Sequence, residues 1–351
     1  MWLAFDLALS NRFLPFMLKP VFQKNIFVVS ILLFCSILTR VFYGGSPLNG
    51  DEAITCNHYA FNSWKDLVFN YTDTNQHTLF SLLSNVCLQV FGETEWSFRL
   101  PSILAGILAV PLTYLVGLKF LNSKFASFIA ALLILLSKPH LIYSQAGRGY
   151  AITVLLALIF IWSVHKLIQP SKNLDGVALF FLSGIGLVMT LPSNSVFLAG
   201  SAIFAVFIIL DPKENSSQPA PVIFKKLTFY YLVLLFAVSF YLYGIKEGLQ
   251  TGVQNYSIKS TGLNGLLEIF NQLIAPFGYW IYLFFFLGVF FFTNRRRLVA
   301  ILSLLIIPIA ILFSLGTGLF SRIYIFILPF IFFIVAVGVD TLLNKLWFMT
   351  S

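Results

Sequence analysis

Asp51 and Glu52 stand side by side in "SPLNGDEAIT" (46–55), in a chain of 351 residues that contains only 13 acids. Paired acids can do general acid–base work, one carboxylate taking a proton while its neighbour orients a substrate or an ion. The same two residues also suit a helix start, where acids complement the exposed N–H groups. One residue can serve both ends. Arg148 sits between two glycines in "YSQAGRGYA" (143–151), beside Gln145 and Tyr150. Glycines let a ligand approach the backbone, and a guanidinium fits a phosphate with two parallel hydrogen bonds. The plainer reading of an arginine at a helix start is snorkelling towards a membrane interface. Arg322, in "FSRIY" (320–324), offers the same choice. His77, in "TNQHTL" (74–79), is either a substrate ligand or a hydrogen-bonded interfacial histidine. Asp51, Glu52 and His77 offer oxygen and nitrogen ligands at no diagnostic metal spacing. Chemistry without a required cofactor is the first expectation, with a divalent cation as the alternative.

These residues must be held by a scaffold built for lipid. Hydrophobic residues make up 59% of the chain and charged residues 10%, with 40 Phe, against roughly 25% charged in a soluble domain. Mean hydropathy is +0.90. That much apolar surface has to face a bilayer. The apolar runs show no period of two, so the reading is all-α rather than a barrel. About ten spans are expected, at 26–43, 98–119, 125–138, 151–168, 177–191, 195–210, 227–244, 278–293, 298–315 and 322–341. The net charge of +9 is scattered between these runs, which argues against nucleic acid as a partner. Assigning loops alternately collects most Lys and Arg on one side. By the positive-inside rule this predicts a multi-pass cell-membrane protein with cytoplasmic termini and Asp51–Glu52 on the outer side.

The expected organisation is a cytoplasmic interfacial segment, 1–25, followed by one transmembrane domain, 26–351. No secretory leader pattern opens the chain. The first outer loop, 44–97, is too long for a simple connection. Within it Ile54, His58, Phe61, Trp64 and Val68 recur at helical spacing, as do Leu79, Leu83, Val86 and Val90, which predicts two interfacial helices. The second outer loop, 245–277, is Gly- and Asn-rich and reads as a mobile cover for a site. Cys56 and Cys87 flank the first loop's polar stretch, and the sequence leaves their pairing open.

In order along the chain, several pieces resemble the membrane-embedded GT-C glycosyltransferases, in the branch of protein O-mannosyltransferases and lipid A aminoarabinose transferases. They are Asp51-Glu52 after the first span, "HTLFSLL" (77–83), "FGETEWSFRLPSILAGILAVPLTYLVG" (91–117), "YSQAGRGYAI" (143–152), and the last span with Arg322 and "LPF" (328–330). The resemblance implies a polyprenyl-phosphate-linked sugar as donor and a glycan, lipid or protein as acceptor. It implies that Asp51 leads the catalytic acid pair with Glu52 and that Arg148 and Arg322 hold the donor phosphate. His77, Gln145 and Tyr150 are the expected substrate-binding residues. The rivals are a transporter or flippase of a lipid-linked sugar, and an O-antigen polymerase- or ligase-like enzyme. The near absence of ionisable groups inside the spans argues against a proton-coupled carrier. The position of the main outer loop, straight after the first span, argues against the polymerase.

Overall fold

The computed structural model describes residues 19–41, 46–169, 174–212, 214, 219–256, 262–274, 277–315 and 320–350. Residues 1–18 of the expected interfacial segment and 257–261 and 275–276 of the second loop lie outside that set. Among the described residues there are helices and no strand.

The first helix, α1 (Lys19–Val41), is interrupted by a non-helical Asn25. It leads to the short α2 (Gly50–Thr55), a π-turn at Cys56–Ala60, and α3 (Trp64–Phe69). Thus the first expected interfacial helix is broken in two. Its apolar spacing runs on through a gap where Asn62 Nδ2 donates to the His58 carbonyl (2.8 Å) and the Ser63 hydroxyl caps Asp66 N–H (3.2 Å). Side-chain capping here outcompetes a continuous helix. The second interfacial helix forms as one piece, α4 (Thr78–Phe91). It buries Phe80, Ser84 and Leu88 and leaves Leu83, Val86 and Val90 exposed.

The central element is α5 (Glu95–Phe120), started by the Thr94 hydroxyl, which accepts from Ser97 N–H (3.2 Å). Most of it is buried, and it packs against α1, α4, α6 (Lys124–Leu136) and α8 (Tyr150–Ile168). Between α6 and α8 lies α7 (Lys138–Gln145), bent by 56° from α6 at Ser137. Next come α9 (Leu174–Thr190), a 3₁₀ turn at Pro192–Asn194, α10 (Ser195–Ile209) and α11 (Ala220–Gly244). The second loop is helical in its described parts, as α12 (Lys246–Tyr256) and α13 (Gly262–Ile274). The chain closes with α14 (Trp280–Phe291), α15 (Arg295–Ser314), a 3₁₀ stretch at Ser321–Ile327 and α16 (Leu328–Thr350). The pairs α10–α15 and α14–α16 pack along their lengths.

Among the described residues six helices are long and apolar enough to cross a membrane, or seven if the bent α6–α7 pair forms one span. The other three expected spans, 26–43, 177–191 and 278–293, fall on helices of fewer than 18 straight apolar residues. The buried residues form one large core through the bundle, with a satellite of Ala60, Phe80, Leu88, Phe98, Ala105, Ala151 and Ile152 beneath α4. That satellite is the floor on which the polar residues of the first loop rest.

Candidate active site

The N-terminus of α5, the N-terminus of α8, the start of the last 3₁₀ stretch and the first loop all converge at one end of the bundle. Asn49 starts α2 with a capping box: its Oδ1 accepts Glu52 N–H (3.1 Å), and Glu52 Oε2 accepts Asn49 N–H (3.1 Å). This arrangement satisfies two orphan donors at once. It also aims the Glu52 carboxylate inward, where its side chain is only 2% exposed. Arg99, on the first turn of α5, meets it with both prongs: Nε to Oε1 and Nη2 to Oε2, each 2.8 Å. Gly147 N–H completes the shell on Oε1. Burial pushes the Glu52 carboxyl up, but the Arg99 hydrogen bond and those from Gly147 and Asn49 outweigh it and hold the group below its ordinary range. Arg99 also donates to the carbonyls of Ser46 and, at 3.2 Å, Pro47.

The expected acid pair therefore divides. Both oxygens of Glu52 are spoken for, so it fixes three segments rather than orienting a substrate or ion itself. Asp51 points the other way, with its side chain 47% exposed. Its Oδ2 lies 3.2 Å from Arg322 Nη1 and 3.7 Å from Arg148 Nη1. It is the exposed carboxylate of the two.

Arg148 is buried and highly constrained. Nη1 donates to the Asp51 carbonyl (3.1 Å) and Nη2 to Asn75 Oδ1 (3.0 Å). The Arg148 carbonyl accepts from the Ser102 hydroxyl (2.5 Å), while its Nε is buried with no partner. The flanking glycines answer to packing rather than to a ligand. A Cβ at Gly147 would collide with the Phe98 ring, and one at Gly149 with Thr190 and His77.

His77 is wholly buried at the start of α4. Its Nδ1 accepts from Gly149 N–H (3.2 Å), which places the proton on Nε2, a buried atom with no partner. Burial, and after it the charges of Arg148 and Arg322, hold the imidazole well below its ordinary pKa, so it is neutral. Its ring meets Tyr150 edge-on at 4.9 Å, and Tyr150 packs on Tyr143 at 4.7 Å. Gln145 faces elsewhere: its Nε2 donates to the Thr39 carbonyl on α1 (3.1 Å).

The structure thus brings Asp51, Glu52, His77, Arg148, Tyr150 and Arg322 together and turns Gln145 towards α1. Sequence reasoning missed Arg99, Asn75 and Tyr143. Arg99 lay in plain view in "FRLP", but its partner is 47 residues away. Three guanidiniums face two carboxylates directly here, and a third carboxylate, Asp73, joins the network through Asn75, which accepts from Arg148. Among the described residues no three His, Cys, Asp or Glu side chains converge, and Asp51 faces cations instead of further acids. Cys56 and Cys87 are both free thiols.

Residues 77–243 match the family model described as dolichyl-phosphate-mannose-protein mannosyltransferase. No curated protein matches the chain by sequence. Among solved structures the chain is similar to ArnT from Cupriavidus metallidurans in the apo state, with 13% identity and a TM-score of 0.62 over 93% of this chain and 62% of ArnT. The chain has the GT-C glycosyltransferase fold. The same ArnT bound to undecaprenyl phosphate gives 12% identity and a TM-score of 0.60, over 91% of this chain and 60% of that one. The oligosaccharyltransferase of Archaeoglobus fulgidus, in complex with zinc and sulfate, gives 14% identity and a TM-score of 0.57, over 92% and 50%. This chain spans about three-fifths of the length of ArnT and half that of the oligosaccharyltransferase. The polar cluster is built by the first loop, the loop between α7 and α8, the N-terminus of α5 and the start of the last 3₁₀ stretch.

Proposed function

We propose that the protein transfers a sugar, a hexose or pentose, from a polyprenyl-phosphate donor to an acceptor at the outer face of the cell membrane. The observation that carries this is Asp51: a half-exposed carboxylate between two guanidiniums. A phosphate needs those cations, and an acceptor needs that base. The similarity to a GT-C enzyme crystallised with undecaprenyl phosphate supports a polyprenyl lipid as donor.

In this reading Asp51 accepts a proton from the acceptor's hydroxyl or amine. The acceptor's oxygen or nitrogen forms a bond to the anomeric carbon, and the bond from that carbon to the phosphate oxygen breaks. The electron pair leaves with the lipid phosphate, which Arg148 and Arg322 stabilise. Base catalysis of this kind typically contributes about 10²–10⁴-fold. Glu52 acts through Arg99 and Gly147 by holding Asp51 in place. Neutral His77 offers an Nε2–H donor without adding charge. In this reading no resident cofactor is required, and a divalent cation bound with the donor phosphate is the alternative.

Lys119, Lys124, Lys166, Lys225, Lys226, Arg295, Arg296 and Arg297 lie at the bundle end opposite the cluster, which supports an outward-facing site and cytoplasmic termini. The acceptor class is a glycan, a lipid or a protein. The test is transfer of radiolabelled sugar from cell-envelope lipid extracts by purified protein. Asp51→Asn should be inactive while retaining its thermal unfolding temperature. Full activity of Asp51→Asn would sink the reading, and movement of lipid-linked sugar across vesicles without transfer would favour a flippase.

A further inference from the structure

Arg40 lies one residue before Val41, the last residue of α1, with its side chain wholly buried. Burying a charge is costly unless it is paired and hydrogen-bonded. Arg40 has no carboxylate partner among the described residues. Its Nη1 donates to Thr39 Oγ1 (2.8 Å), and its Nη2 lies 2.9 Å from Nδ1 of His140 on α7. Arginine has no acceptor atom, so His140 Nδ1 accepts and its proton sits on Nε2. Arg40 Nε is buried without a partner, while the His140 ring has the Ile134 carbonyl as a neighbour. An apolar pair of similar volume would pack here without that cost, and such replacements are often neutral or stabilising. Stability alone therefore does not account for the pair.

Its place in the fold suggests what does. α7 is the short limb beyond the 56° bend, and its last residue runs straight into Ala146–Gly149. That segment carries the Gly147 N–H bound to Glu52 and the Arg148 guanidinium beside Asp51. α7 is tied to α1 twice, by Arg40–His140 and by Gln145 Nε2 to the Thr39 carbonyl. On α5, a Cβ at Gly106 would collide with Ser144, so α7 lies flush there too. A shift of α7 would carry Gly147 and Arg148 off their acids.

We propose that Arg40 is a positioning residue for the site: through His140 it holds α7 so that Gly147 and Arg148 meet Glu52 and Asp51. Its lipid readout rests on the donor assignment proposed above; its structural readout does not.

The test uses the full-length protein in lipid nanodiscs, with undecaprenyl phosphate as probe and amide hydrogen exchange read over residues 138–149. Arg40→Met and His140→Phe should each weaken lipid binding about tenfold, the middle of the range for directly coupled pairs. The double variant should lose no more than the worse single one. Arg40→Lys, which keeps a donor for Nδ1, should recover most of the affinity. Exchange over 138–149 should rise in Arg40→Met and His140→Phe and stay unchanged in α10 and α15. Losses that multiply in the double variant, or unchanged exchange over 138–149, would overturn the proposal. If Arg40→Met does not fold, His140→Phe and Arg40→Lys carry the same comparison. If the wild-type protein fails to bind the probe, the donor assignment falls and the exchange pattern alone decides on Arg40.

Discussion

At one end of the bundle Arg297 spends its guanidinium completely. Nε binds Asp211 (2.6 Å), Nη2 binds Glu214 (2.8 Å), and Nη1 donates to the Lys119 carbonyl (3.0 Å) and Asn122 Oδ1 (2.9 Å). His165 and Gln169 meet the other Glu214 oxygen, Oε2, and Asn294 Nδ2 shares Asp211 Oδ2 with Arg297. At the other end Glu52 and Arg99 form an equally closed pair, but Arg148 keeps an unpartnered Nε and Asp51 faces outward. Both ends bury charge across distant helices. Only one exposes a carboxylate, held between two guanidiniums, and that exposure is what separates a site from a brace.

This contrast can be broken by experiment. The largest effects should be on folding and should be similar at both ends. Arg99→Leu and Arg297→Leu each strand a buried carboxylate, so each should cost about 3–5 kcal/mol in denaturant unfolding. Binding then tells the ends apart. Arg322→Met, at a side chain about one-third exposed, should leave stability nearly unchanged and weaken undecaprenyl phosphate binding by roughly 10–100-fold, the worth of a charged hydrogen bond. Arg297→Leu should leave the affinity of its folded fraction unchanged, and a matching loss there would erase the distinction.

A smaller effect concerns pH. His77 is held neutral, with its folded pKa below the ordinary 6.5. As pH falls through 6.5 the unfolded chain takes up a proton that the folded chain refuses, so stability declines by up to about 1.4 kcal/mol per unit below that point. His77→Gln should flatten this part of the profile. An unchanged slope between pH 6.5 and 5 would show that His77 is not desolvated as described.

Much of the scaffold was legible because lipid imposes a single rule: long apolar runs become helices. The runs at 98–119, 151–168, 195–210, 227–244, 298–315 and 322–341 all lie on helices of spanning length. The first interfacial helix was misread as continuous because Ile54 to Val68 keep helical spacing across the Asn62–Ser63 break, where hydrogen bonds rather than apolar contacts decide. At the site, Asp51, Arg148 and Arg322 stood out as rare charges in an apolar chain. Their division of labour with Glu52 did not, because it depends on which way a capping box turns one of two neighbouring acids. Arg99 and Arg40 were hidden for a related reason: their partners, Glu52 and His140, lie 47 and 100 residues away, and no local spacing records them.

The central claim is that Asp51 is the base for transfer from a polyprenyl-phosphate sugar. It is tested most directly by mass spectrometry of lipid extracts from cells lacking the gene, complemented with wild-type or Asp51→Asn protein. The account predicts that a polyprenyl-phosphate sugar accumulates in the deletion and in the Asp51→Asn cells and is cleared by the wild type, its mass giving the sugar class. A lipid pool that is the same in all three strains would contradict it.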